Sequence, residues 1–274
     1  MGHQDFFENP FLSQPLPYAE INGIGTSSPA QISAASITSR ALSGRPSFFD
    51  LNQSGWAAPV WGPSYIPGIT IFGQSGKWNY AAEMKTSGLS AAPEEWDFNH
   101  LNLQHPAFAA RIGYQPDAAW DLGLSFATGP YLSHESVKFL PIGVSRGDLS
   151  YRTAGLDVRW AHRNLIISGE LLYSAYDTLE VGTLESLNWY LQARWKISPR
   201  FSLAARVGQT LNNDANVAGT DTPWSPDLLR AELGFGWRIQ PDLLFKAQYT
   251  YTKATGGLEG PAQDLFGAGI SWRF

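Results

Sequence analysis

The chain has 274 residues, 43% of them hydrophobic and only 16% charged, with 11 Trp, 27 Gly and no Cys. Lack of Cys excludes a disulfide framework, a thiol nucleophile and a Cys-ligated metal, and a net charge of −5 argues against nucleic acid as a partner. No run reaches the roughly 18 to 20 apolar residues of a membrane helix; the most apolar stretch, Leu165 to Tyr173, is broken by Ser168 and Glu170.

Residues 1–67 are rich in Pro, Ser and Gly and alternate poorly, so they read as an irregular, loop-like lead-in with at most one strand, within 30–44. A strand is expected near Gly68 to Gln74, its phase open. From there to the end (68–274), apolar residues recur at every second position, the period of a strand with two unlike faces. The apolar face starts with Trp78, Tyr80, Ala82 and Met84, then Phe108, Ala110, Ile112 and Tyr114, then Trp120, Leu122, Leu124 and Phe126. It continues through Ala154 to Trp160, Leu165 to Tyr173, Leu187 to Ile197 and Phe201 to Val207. Leu229 to Ile239, Leu243 to Tyr251 and Phe266 to Phe274 complete it.

The opposite face is polar or glycine. Its candidate pore-lining residues are Glu83, Lys85, Arg111, Glu170, Arg194, Arg206, Arg230, Glu232, Lys246 and Gln248. Short connections, such as Gln115-Pro116-Asp117-Ala118 and Ser198-Pro199-Arg200, use turn-forming residues and alternate with long ones near 88–106, 128–149, 176–185, 211–227 and 253–264. A meander with tight turns at one end and long loops at the other is the pattern of outer-membrane barrels.

A soluble sandwich alternates too, and three features argue against it. Trp78, Trp120, Trp160, Trp195, Trp237 and Trp272 all lie on the apolar face at the short-turn end. Indole favours the lipid–water boundary, so they are expected to form a membrane-interface girdle; Tyr173, Trp189, Tyr249 and Tyr251 would form the opposite belt. The segments are about nine to eleven residues long, enough to cross the hydrocarbon with tilt. Finally, the sequence ends inside a strand, with Phe266, Ile270, Trp272 and Phe274 in alternation. That ending resembles the C-terminal assembly signal of outer-membrane β-barrels, which implies recognition by the barrel-assembly machinery.

Other segments carry a wider resemblance: Phe7-Glu8-Asn9-Pro10-Phe11, Pro15-Leu16-Pro17-Tyr18, Trp61-Gly62-Pro63-Ser64-Tyr65, Trp78 to Lys85, His105-Pro106 and Gly129-Pro130-Tyr131. With the closing strand, they resemble the C-terminal portion of an uncharacterised porin-like outer-membrane β-barrel family of Gram-negative bacteria. The resemblance implies an antiparallel transmembrane barrel of about sixteen strands, a cleaved signal peptide and passive passage of solutes. The polar start at Met1 departs from that pattern, and the strands present number about eleven to twelve. The expectation is therefore a fragment that lacks early strands.

Little points to chemistry. His3, His100, His105, His134 and His162 lack zinc-ligand spacing and read as loop residues; Glu94, Glu95 and Asp97 read as a solvated acidic loop. Asp227 and Trp224 read as loop packing. An outer-membrane hydrolase would need Ser and His together on the lipid-facing rim, and no His is expected on an apolar-face strand position. The expected function is a channel for small hydrophilic solutes, without cofactor or metal, surrounded by outer-membrane lipid. Lumen bases outnumber lumen acids, which suggests anion preference unless the charges pair across strands. A plugged barrel acting as an anchor or surface-interaction protein is the alternative, and an outer-membrane enzyme the more remote one.

Overall fold

The computed structural model describes residues 68–85, 103–130, 141–179, 182–217, 219–223, 227–256 and 262–272. The lead-in over 1–67, with its expected strand, and Phe274 lie outside them.

In chain order the strands are β1 (Gly68–Ser75), β2 (Trp78–Lys85), β3 (Ala107–Tyr114), β4 (Trp120–Pro130), β5 (Ser150–His162), β6 (Leu165–Asp177) and β7 (Thr183–Lys196). They continue with β8 (Phe201–Asn212), β9 (Asp214–Val217), β10 (Thr220–Pro223), β11 (Asp227–Gln240), β12 (Leu243–Thr255) and β13 (Gln263–Trp272). Eleven of them form one sheet in the order β1-β2-β3-β4-β5-β6-β7-β8-β11-β12-β13, and β9 pairs with β10 as a separate hairpin. Every pairing in the large sheet is antiparallel and sequential, as the alternation and turn chemistry predict. β1 and β13 are its two edges; the sheet is not closed among the described residues.

Side-chain acceptors shape the short turns. Asp117 Oδ1 accepts the amides of Ala119 (2.7 Å) and Trp120 (3.2 Å), starting β4. Ser198 Oγ accepts those of Arg200 (3.2 Å) and Phe201 (3.1 Å), starting β8. Both use a short polar side chain to stand in for a backbone acceptor where the chain reverses.

The two faces are inverted relative to a soluble sheet. Apolar positions such as Leu124 (54% exposed), Leu233 (62%) and Ile270 (66%) stand free, whereas inward polar positions such as Ser174 (0%) and Thr210 (0%) are buried. The register also settles the phase of β1: Ile69, Ile71 and Gly73 oppose Met84, Ala82 and Tyr80 on the apolar face, leaving Phe72 on the polar one.

Two expectations change. The connection over 211–227 contains the β9–β10 hairpin. Strand lengths also exceed nine to eleven residues: β7 and β11 reach 14, and β5, β6 and β12 reach 13. The extra length lies at the long-loop end, where the inward face turns apolar. Tyr151 opposes Tyr176, which opposes Leu184, and Leu228 opposes Ala254. All five are at most 1% exposed, and the two tyrosine rings stack with centroids 6.3 Å apart. Hydrogen-bonded strands thus continue into a stretch whose inward face is apolar and buried.

Candidate functional site

The inward wall carries two charged clusters. In the first, Arg111 on β3 reaches across β4 to β5. Its Nε donates to Asp157 Oδ2 (3.0 Å) and its Nη2 to Asp157 Oδ1 (2.7 Å), a two-pronged contact that holds the guanidinium flat. Nη1 donates to Asn79 Oδ1 (2.8 Å) on β2, and Asp121 Oδ1 lies 3.6 Å from Nη2. Two glycines make room for this. A Cβ on Gly123 would lie 2.0 Å from Asp157 Oδ2 and 2.4 Å from Arg111 Nη2, and one on Gly113 2.2 Å from Asn79 Oδ1. Glycine on the inward face therefore lets the arginine lie across β4.

In the second cluster, Arg206 on β8 sits directly opposite Glu232 on β11. Its Nε and Nη2 both donate to Gln192 Oε1 (2.9 and 2.5 Å), Nη1 lies 3.7 Å from Glu232 Oε2, and the guanidinium covers the Tyr190 ring at 5.0 Å. Glu232 Oε1 accepts from Gln248 Nε2 (3.0 Å). The Arg206 and Glu232 side chains are only 5% and 2% exposed, so this pair is dry.

The remaining wall residues are spread between these clusters and the rims. Glu83 accepts from Thr70 Oγ1 (3.2 Å), and Arg230 Nε donates to Thr252 Oγ1 (3.1 Å). Glu170 faces Asp157 across β5 and β6. It shares a cavity of about 380 Å³ with Arg111, Arg159, Tyr190, Gln192 and Arg194. Lys246 lies nearer the short turns, and Lys85 is paired through its backbone at the far end of β2, its side chain outside the described residues. Of Arg111, Arg206 and Arg230, the bases expected to set a positive field, the first two are each met by carboxylates, and Arg230 donates to Thr252.

The tryptophans line up along one rim. Trp120 opposes Trp160 with centroids 6.2 Å apart, Trp237 opposes Phe201 with rings 6.1 Å apart and 9° from parallel, and Trp78 lies 4.6 Å from the Tyr114 ring. Trp195 is half-exposed on the same face, and Trp272 Nε1 donates to Asp242 Oδ2 (3.3 Å). Phe266, Ile270 and Trp272 project together from β13. At the opposite rim the Tyr249 hydroxyl donates to Asp264.

One histidine departs from expectation. β5 runs on to His162, which lies on the apolar face and stacks on Trp160 (5.8 Å, 6°). Its backbone partner is Leu165, and no serine hydrogen bond to it is recorded among the described residues. No group of three His, Asp or Glu among the described residues is arranged to hold a metal. Asp227 packs locally, its Oδ1 accepting the Asn212 amide (2.8 Å). In the connection after β4, the Ser145 amide and hydroxyl both donate to Asp148 Oδ2 (2.8 and 2.8 Å), holding its carboxyl below the usual range. Glu94, Glu95, Asp97, His100, His134 and Trp224 lie outside the described residues.

No protein-family model and no curated protein sequence matches the chain. Solved structures do. A refined porin structure aligns over 77% of this chain and 63% of its own, at 10% identity and a TM-score of 0.54. The anion-selective porin from Comamonas acidovorans aligns over 76% and 59%, at 10% identity and 0.53. Salmonella typhi OmpF, in complex with daunomycin, aligns over 80% and 67%, at 8% identity and 0.53. The chain spans about three-fifths of the first two porins' length, and what it shares with all three, at such identity, is architecture: its fold is that of a porin-like outer-membrane β-barrel.

Proposed function

We propose that the chain forms part of the wall of an outer-membrane channel through which small hydrophilic solutes diffuse passively. The inversion of faces carries this reading: a continuous apolar exterior with aromatic rims, around a polar, charged interior, fits a sheet surrounded by lipid. In this reading the tryptophan rim lies at the periplasmic interface, and Phe266, Ile270, Trp272 and Phe274 are read by the barrel-assembly machinery. Both sheet edges require partners in lipid, because an unpaired backbone there is not tolerated. The porin likeness supports the same reading through the fold. With Arg111 and Arg206 engaged by carboxylates, anion preference rests on the bases nearer the short turns. Planar-bilayer recording tests the proposal: stepwise ohmic conductance with a reversal potential favouring anions is expected, and a barrel that inserts without conducting would overturn it.

The second reading, a filled barrel that acts as an anchor or binds partners through its loops, is favoured by one observation. Arg206, Glu232, Gln248 and Thr210 face inward yet are all 6% exposed or less. A lumen filled along that stretch of wall would keep them so. Conductance separates the two readings.

A further inference from the structure

At the short-turn end the inward face opens into a basin of about 520 Å³. Arg163, Arg194, Lys196, Arg200, Arg238 and Lys246 contribute to its lining, with the hydroxyls of Ser198 and Ser202, and no carboxylate lines it among the described residues. Three ion pairs lie elsewhere on the sheet: Arg111 with Asp157 (2.7 Å), Arg152 with Asp177 (2.9 Å) and Arg206 with Glu232 (3.7 Å). Gathering bases in one concavity without lining acids concentrates positive potential, which the low-dielectric wall focuses further.

The basin is rigid. The Lys196 amide donates to the Asn164 carbonyl (2.8 Å), tying the β5–β6 turn to β7, and the Arg238 amide donates to the Arg200 carbonyl (2.7 Å), tying the β7–β8 turn to β11. Arg163 itself has φ 51°, the only positive φ at a non-glycine among the described residues. Glycine or asparagine is the ordinary occupant of such a turn position, since an L side chain is strained there. An arginine held at that position, on the rim of a basic basin, is a local choice against backbone preference.

We propose that this basin binds polyvalent oxyanions at the short-turn mouth of the channel, so that solutes bearing several phosphate or carboxylate groups are retained there. The proposal rests on the inward face being open to water at that end. Guanidinium forks and hydroxyls suit tetrahedral phosphate and planar carboxylate alike, and the volume accommodates a small solute.

Calorimetric titration of the refolded barrel in detergent, at low salt, tests this without requiring conduction. Pyrophosphate and citrate serve as polyvalent probes of the two chemistries and formate as the monovalent reference. At least one polyvalent probe should bind about tenfold or more tightly than formate, and its affinity should fall steeply with added salt. Arg163→Gly relieves the backbone strain, so it should leave the unfolding midpoint unchanged or raised while weakening binding. Combining it with Lys196→Gln and Arg200→Gln should weaken binding about tenfold or more. Arg152→Gln, at the other end of the wall, should leave binding unchanged. Equal affinity for all three anions, or binding indifferent to the triple substitution, overturns the proposal. Binding without conductance would sink the channel reading alone, and conductance without binding the basin alone.

Discussion

Glu232→Leu tests whether the wall at the Arg206 cluster is dry. The substitution removes the carboxylate opposite Arg206, where both side chains are 5% exposed or less. Arg206 keeps Gln192 and the Tyr190 face, while Gln248 loses an acceptor at 3.0 Å. Leaving one member of a buried ion pair costs about 3 to 5 kcal/mol, and the remaining Gln192 bonds place the expectation at about 3 kcal/mol. At a urea slope of about 3 kcal/mol/M that is a midpoint shift of about 1 M. Unfolding in detergent, followed by tryptophan fluorescence, measures it. Adding Arg206→Met should recover stability to within about 1 kcal/mol of the parent, because a buried pair replaced by apolar groups is often neutral. The more exposed Arg152–Asp177 pair is the control: Arg152→Leu should cost less than about 1 kcal/mol. A single Glu232→Leu variant within about 0.5 kcal/mol of the parent would refute the reasoning, since solvated pairs contribute that little.

Two further outcomes are expected. Gly123→Ala places a Cβ 2.0 Å from Asp157 Oδ2 and should displace the Arg111 contact, whereas Gly269→Ala meets nothing within 4 Å; a loss of about 1 to 3 kcal/mol for the first, and near-parent unfolding for the second, is the check. Asp148, its carboxyl lowered by Ser145, should stabilise its turn above the ordinary carboxylate range and lose that effect only as pH falls through the lowered value. A carboxyl NMR titration at or above the ordinary value of about 3.9 would contradict this.

Period-two alternation made most of the sheet legible, because one face is apolar along nearly every strand. It failed where that contrast is absent. In β1, Phe72 breaks the polar phase. The β9–β10 hairpin has strands of only 4 residues each, with Ala215 and Val217 as the one alternating apolar pair, too short a run for the period to show. Toward the long-loop ends, Tyr151, Tyr176 and Leu184 turn inward, reversing the pattern and hiding the true strand ends. At the site, the residue types were visible but the partners were not. Once the turn before Phe201 and the register with Trp237 are known, Arg206 falls opposite Glu232 by counting. Arg111 reaching Asp157 across β4 follows from the space at Gly113 and Gly123, which alternation does not encode. The lining of the basic basin was equally hidden, because it draws on turns separated by about 35 to 75 positions of sequence that a hairpin stack brings together.

Contact between the apolar face of this sheet and lipid is directly measurable. The chain has no Cys, so single cysteines introduced along β4 can carry a nitroxide label without background. In reconstituted vesicles, labels at Leu122, Leu124 and Phe126 should be accessible to dissolved oxygen, which partitions into the bilayer. Labels at Asp121, Gly123 and Ser125 should be shielded from it. Strict alternation with period two is the predicted result; uniform accessibility, or accessibility of 122, 124 and 126 to a water-soluble paramagnetic reagent, would contradict it.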